Sequence, residues 1–194
     1  MINIEKGREA HSHKINIFGI RIKFRNIFEI KNNKVVVVKK DGTEVRKIPK
    51  GLKVIFRGAN STIKIYEPCP KFKNSQIMCF DNANVEIDSS NTTISNLTAH
   101  IISKNGKLKI GKNVKFRGTG IFIGDHDNLS VTIGDNSLFA MRVAIRTGDY
   151  HVVYNALTKE PLNKPADVNI GKHCWLCEDV IIAKGVSLAD DTIV

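Results

Sequence analysis

Between residues 149 and 177 the chain gathers two aspartates, two histidines, its single tryptophan and two of its four cysteines. Cys174 and Cys177 stand in a C-x-x-C spacing, which suits a redox dithiol or half of a zinc site. Asp149 and His151 are two residues apart, so an extended backbone points both side chains the same way. An imidazole beside a carboxylate can form a general base that works near neutral pH. Which of these chemistries is open depends on the backbone that presents the side chains.

That backbone keeps a six-residue rhythm. Ile170, Leu176, Ile182, Leu188 and Val194 are aliphatic at steps of six. Four residues after the first four come Cys174, Val180, Val186 and Thr192, all small or β-branched. Directly after the same four come Gly171, Cys177, Ala183 and Ala189. Upstream, Ile133, Phe139 and Ile145 repeat the large position, with Ser137, Val143 and Asp149 at the small one. Ile110 and Phe116, with Val114 and Gly120, form a looser pair, and residues 54–102 lose the strict count. No α-helix has such a period. The rhythm predicts a chain wound round a triangular prism, with coils of about 18 residues stacked through parallel ladders. Gly111, Asn113, Gly134 and Asn136 fall where corners need tight or left-handed backbone. In this frame both cysteines of the C-x-x-C fill small slots of the repeat. A thioredoxin-like site needs a βαβ context, and the sequence offers none. The cysteines are read as filler, and no metal site is expected.

Composition sets the outer bounds. A chain of 194 residues, 42% hydrophobic and 25% charged, is long enough for one domain with a small appendage. Ile, Val and Leu carry the apolar load, which favours strands. The first thirty residues hold no signal-like apolar stretch, and the run Val35–Val38 is far too short to cross a bilayer. A reducing cytoplasm is therefore expected, with unpaired cysteines and N-x-T triplets at Asn60, Asn91 and Asn96 that carry no glycan. The formal charge of +11 comes from scattered lysines with no nucleic-acid-binding signature. A solvated basic surface, or attraction to a phosphorylated cofactor or an anionic glycan, accounts for it. Residues 1–50 read as an N-terminal β cap, where Ile20, Ile22 and Phe24 alternate with Arg21, Lys23 and Arg25. At most that segment touches a membrane surface. Residues 51–194 read as the coil, and His11, His13, His100 and His126 as surface.

The rhythm breaks between Ile145 and Ile170, where Pro161, Pro165 and a polar mix mark a protruding loop over 150–167. Loops on rigid scaffolds tend to carry function, and His151 sits where this one leaves the coil. The segment IRTGDYHVVYNALTKEPLNKPADVNIGKHCWLCEDVIIAKGV resembles part of the hexapeptide-repeat sugar and polysaccharide O-acetyltransferases. There the pattern runs I-R-T-S-D-x-H, a loop, then I-G-x-H-x-W-I-G. Before residue 100 the resemblance is diffuse, VIFRGANSTIKIYEP being the best match.

The resemblance implies an all-β fold, a left-handed parallel β-helix of single-stranded, triangular-prism form. It implies acetyl transfer from acetyl-CoA to a sugar hydroxyl, in bacterial surface or capsular polysaccharide or its precursor. His151 is then the catalytic base, and Asp149 either orients it or caps a turn. Trp175 then lies beside the thioester, or else serves packing or a subunit interface, with Cys177, Ala183 and Lys184 also toward the cofactor. Tyr154, Asn155 and Asn163 are either contacts for the carbohydrate acceptor or solvated loop residues, and His173 is either structural or on the acceptor side. An oxyanion donor is expected in the backbone near Trp175, and a homotrimer follows because such sites form between neighbouring prisms. Two positions depart from the pattern: Gly148 replaces the usual Ser, and Cys177 the usual Gly.

Two further readings stand beside this one. A metal-dependent carbonic-anhydrase type needs three histidines around a metal, two of them close in sequence, and His151 and His173 lack that spacing. A non-catalytic β-helix scaffold is the alternative function, prompted by the stop at SLADDTIV in mid-rhythm, where family members continue with more coils.

Overall fold

The computed structural model describes residues 32–194 and, as backbone alone, the strands Asn3–Lys6, His13–Ile17 and Ile20–Phe24. Those three strands form an antiparallel sheet. The alternation read at Ile20, Ile22 and Phe24 concerns side chains outside the described residues, as do the readings of His11 and His13.

From Lys34 the chain coils, visiting three parallel sheets in a fixed order. Face one holds Lys34–Val38, Thr62–Tyr66, Asn84–Ile87, Lys107–Ile110, Ser130–Ile133, Val168–Ile170 and Ser187–Leu188. Face two holds Lys71–Lys73, Thr93–Ser95, Lys115–Phe116, Leu138–Phe139 and Trp175–Leu176. Face three holds Leu52–Phe56, Ser75–Cys79, Leu97–Ile101, Thr119–Ile123, Val143–Arg146 and Ile181–Ile182. Glu44–Arg46 folds back antiparallel on Lys34–Val38 at the edge of face one. Parallel stacking thus begins at Lys34, inside the stretch 1–50 that the sequence assigns to the cap. Among the described residues there is no helix, and so none long and apolar enough to cross a membrane.

Coil length departs from the expected value. Thr62 pairs with Asn84, Asn84 with Lys107 and Lys107 with Ser130, steps of 22, 23 and 23 residues. The steps from Asn169 to Ser187 and from Trp175 to Ile193 span 18. The earlier coils are longer because face three is built there from five-residue strands. Leu97–Ile101, for example, buries Leu97, Ala99 and Ile101 in alternation. The strict six-residue count therefore belongs to the last coils, and inward–outward alternation holds throughout.

Left-handed residues make the corners. Asn60, Asn82, Asn105 and Asn128 turn the chain from face three to face one; Asn113, Asn136, His173 and Asp191 from one to two; Asn74, Asn96, Arg142 and Asp179 from two to three. Their φ angles lie between 48° and 62°, a region where Asn, Asp and His are enriched among non-glycine residues. The amides stack from coil to coil: Asn82 Nδ2 donates to Asn105 Oδ1 at 3.0 Å, and Asn105 Nδ2 to Asn128 Oδ1 at 2.9 Å. Arg142 closes the same kind of ladder with a two-pronged bond to Asp179, at 2.6 and 2.7 Å.

The inward residues of successive coils pack on one another. Ile63, Ile77, Leu97, Ile121, Ile145 and Leu176 are fully buried, and Phe116 stacks on Phe139 at 4.7 Å between ring centres. Cys174 is buried, its Sγ 3.2 Å from the Ala189 carbonyl, and burial pushes the Cys79 thiol up to about 12. His100, read as surface, is half-buried on the outside of face three, edge-on to Phe122. Truncating a ring in this stack removes contacts on both sides. Phe116→Ala should cost about 3–5 kcal/mol of unfolding free energy by urea denaturation, whereas Lys109→Ala, which points outward, should cost less than ~0.5 kcal/mol.

Candidate functional site

At one passage from face three to face one the coil does not turn at once. After Val143–Arg146, Thr147 and Gly148 are the last buried positions, and Asp149, expected in an inward slot, is exposed. Thr147 is bonded to the coil before it, its Oγ1 3.0 Å from the Gly124 N–H nitrogen and 3.2 Å from the Gly124 carbonyl. The Ala166 N–H returns to the Thr147 carbonyl at 3.0 Å, so the excursion leaves and rejoins the coil at one point. Register across it jumps by 37 residues, from Val131 to Val168.

Gly148 is small for a reason visible one coil earlier. A Cβ at this position would run into the side chain of Asp125. The Asp125 carboxylate accepts the backbone N–H of Tyr150, a residue held at φ 61°. Asp125 thus fills the space that a serine would take, which accounts for the departure at 148. Neither Asp125 nor Tyr150 was singled out in the sequence. A signal existed: Gly124-Asp125 and Gly148-Asp149 are the same dipeptide one coil apart, the step set by Thr119 pairing with Val143. Burial, then the charge of Asp125, pushes the Tyr150 phenol up.

Asp149 is engaged from two sides. It is ion-paired with Lys184 of the following coil, and Asn163 Nδ2 donates to its Oδ2 at 2.9 Å. Lys184 first, and Asn163 second, hold its carboxyl below the usual range. Asn163 also donates to the His151 carbonyl at 2.6 Å and accepts the Val153 N–H at 2.7 Å. The imidazole of exposed His151 has no hydrogen-bond partner among the described residues. Asp149 and Asn163 therefore fix the backbone that carries His151, and Asp149 does not bond to the ring.

Beyond this clamp the loop is a small hairpin. Tyr154 bridges Pro161, and Asn155 Oδ1 accepts the N–H groups of Leu157 and Thr158 at 2.8 and 3.0 Å, shaping its turn. Tyr154 and Leu157 are exposed. Trp175 lies elsewhere, on face two, 47% exposed beside Ile193 of the next coil, which is 68% exposed. The Trp175 N–H donates to Thr192 O at 2.9 Å and the Cys177 N–H to Val194 O at 2.8 Å, so neither is free for an oxyanion. Ala183 is exposed just before Lys184. His173 is a corner residue, its Nδ1 2.7 Å from Asp191 Oδ1. The structure thus gathers Asp149, His151, Asn163 and Lys184 at one corner. It sets Trp175 and Cys177 on the face opposite that corner.

Gly148→Ser alone should destabilise the protein by about 1–3 kcal/mol, and adding Asp125→Ala should recover at least half of that loss in chemical denaturation. The clamp also has a pH signature. Asp149's folded pKa lies below its unfolded one, so its contribution is present above the unfolded pKa and lost as pH falls through the folded value. Proteolysis within 150–167 should stay flat from about pH 8 to about pH 5 and rise only below about pH 4.

No family model matches the chain. It is 32% identical over 108 residues to WcaF of Escherichia coli K12, a protein named for acetyl transfer in colanic acid biosynthesis, covering 44% of this chain and 54% of that one. It is 30% identical over 95 residues to the polysialic acid O-acetyltransferase of Escherichia coli O1:K1, covering 43% and 31%. It is 35% identical over 69 residues to the galactoside O-acetyltransferase of Escherichia coli K12, covering 35% and 33%. These matches span about half of the first relative's length and a third of the others'. The crystal structure of the polySia-specific acetyltransferase NeuO has a TM-score of 0.67, covering 83% of this chain and 64% of that one at 22% identity, so the two share a fold. Rhythm, prism and relatives agree: the chain is a left-handed parallel β-helix similar to the hexapeptide-repeat O-acetyltransferases.

Proposed function

We propose that the chain transfers an acetyl group from acetyl-CoA to a hydroxyl of a polysaccharide or its sugar precursor, with His151 as general base. The observation that carries this reading is an exposed imidazole, without a partner among the described residues, on a backbone pinned by Asn163 at the mouth of a long loop. A sugar hydroxyl is a weak nucleophile until its proton is removed during attack. His151 Nε2 or Nδ1 takes that proton as the oxygen bonds to the thioester carbonyl carbon. The tetrahedral intermediate then collapses, the C–S bond breaks, and the imidazolium returns the proton to the CoA thiolate. The O-acetyltransferase relatives support this chemistry.

Acetyl-CoA needs an apolar strip for its pantetheine arm. The half-exposed indole of Trp175, with Ile193 beside it, fits that need, and Ala183 leaves a small side chain at the neighbouring edge. Cys177 puts a side chain where the similar enzymes carry glycine. Lys184 is occupied by Asp149, so its part is to hold the loop base, with any charge offered to the cofactor shared. Tyr154 is free to meet the acceptor, whereas Asn155 and Asn163 shape the loop that presents it.

His151 lies at the base of the loop, at the corner between faces three and one, and Trp175 lies on face two across from that corner. Both can flank a single thioester only when Trp175 comes from a neighbouring copy. A homotrimer, with three such sites between its prisms, satisfies this requirement.

The protein, acetyl-CoA and a panel of bacterial glycans should release CoA, followed by thiol titration. His151→Ala should lower kcat by about 10²–10⁴-fold, and Trp175→Ala should mainly raise KM for acetyl-CoA. Full activity in the His151 variant would remove the mechanism. Sedimentation should give a trimer, and a monomer with full activity would remove the shared site. Absence of saturable CoA binding by calorimetry would favour the scaffold reading.

A further inference from the structure

We propose that the N-terminal coils carry a binding site for an acidic polysaccharide, centred on Lys71, Lys73, Lys115 and Arg117 of face two. Charge is divided unevenly along the coil axis. Residues 32–120 contain 17 lysines and arginines against 6 aspartates and glutamates, whereas residues 121–194 contain 6 against 10. The loop and its histidine thus sit in the acidic half, and the excess positive charge lies in the coils before it.

Face one and face two treat that charge differently. On face one, Lys64 is ion-paired with Glu44 at 2.7 Å, and Glu86 stands in register between Lys64 and Lys109. On face two, Phe72, Ile94 and Phe116 point inward, leaving Lys71, Lys73, Thr93, Ser95, Lys115 and Arg117 outward over three successive rungs. Register places Lys71 on Thr93 and Lys73 on Ser95, with Ile94 on Phe116. Two cationic rungs about 10 Å apart therefore flank a rung of hydroxyls. None of the four cations has a hydrogen bond or an ion pair among the described residues. Parallel stacking forces these like charges together, and their repulsion opposes folding unless an anion lies across them.

Arg117 also opens onto a groove of about 480 Å³ at the corner between faces two and three. Asn96, Thr98, Gly120 and Arg142 line it, a mixture of amide, hydroxyl and cation beside bare backbone, as suits a sugar ring. Thr119 lines the same groove, and its buried Oγ1 has no hydrogen-bond partner. Carboxylates would lie on the cationic rungs and sugar hydroxyls in the groove. Cationic rungs spaced about 10 Å apart along one face match a polymer better than a single phosphate. Two strands further along, the same face carries Trp175. Naming this polymer as the acetyl acceptor rests on the proposed function; the binding itself does not.

The test is binding without acetyl-CoA. Polygalacturonate, hyaluronate and polysialate, with dextran as a neutral control, are titrated by calorimetry against the full chain and against Lys73→Ala/Arg117→Ala. At least one acidic polymer should bind, more weakly as salt rises, and its dissociation constant should increase about tenfold in the double variant. CoA affinity should stay within twofold, and an unchanged melting temperature guards against misfolding. His151→Ala should bind the polymer as the unmodified chain does, so loss of acetyl transfer and loss of this site are separable results. Binding of none of the acidic polymers overturns the proposal, as does equal binding of dextran. A selective loss of CoA affinity in the double variant would make the cluster a cofactor phosphate site. Salt-sensitive binding only to phosphatidylserine vesicles would make it a membrane surface, and either outcome overturns the proposal.

Discussion

Each strand of the coil can satisfy its backbone only through the strand one turn before and one turn after it, and the rest of the structure obeys that requirement. Parallel ladders hold successive coils in register, so an inward residue always meets the inward residue of the next coil. Ile63, Val85, Leu108, Val131 and Val168 form one such column on face one, all essentially without exposure. Corners must repeat with the same fidelity. A left-handed residue is therefore needed at nearly the same place in each turn, and Asn supplies it with an amide that bonds to its counterpart.

The same constraint decides where chemistry can be added. A long loop can leave the coil only if the ladder closes beneath it, and Thr147 with Ala166 provides that closure. The backbone carrying His151 is then steadied from three coils at once: Asp125 before it, Asn163 within the loop, Lys184 after it. A scaffold this regular holds His151 in place while its ring keeps no hydrogen-bond partner among the described residues. It also sets His151 at a corner and Trp175 on the face across from it.

Outward positions are where regularity has a cost. A ladder that stacks Ile on Ile inside stacks Lys near Lys outside, and the N-terminal coils show both ways of treating this. Face one places Glu44 and Glu86 among its lysines, and face two leaves Lys71, Lys73, Lys115 and Arg117 uncompensated. Toward the C-terminal end the outward residues of face two become Leu138, Ala140, Trp175 and Ile193, trading charge for apolar surface. One face thus changes from cationic to apolar along its length.

The sequence alone determined the prism, because large and small inward residues recur at fixed steps and every inward slot has a set volume. It marked the loop, because prolines and polar residues cannot continue the ladder, and it explained Cys174, whose slot admits little else. It misjudged coil length, since five-residue strands on face three bury three residues where the count of six allows fewer. The roles of Asp149 and Asn163 were beyond it, because whether a carboxylate or amide meets a ring, a backbone or a lysine depends on neighbours 10 to 35 positions away. Only the tertiary structure put Lys184 over Asp149 and Asp125 under Gly148. Stacking, not proximity in sequence, decides which residues touch.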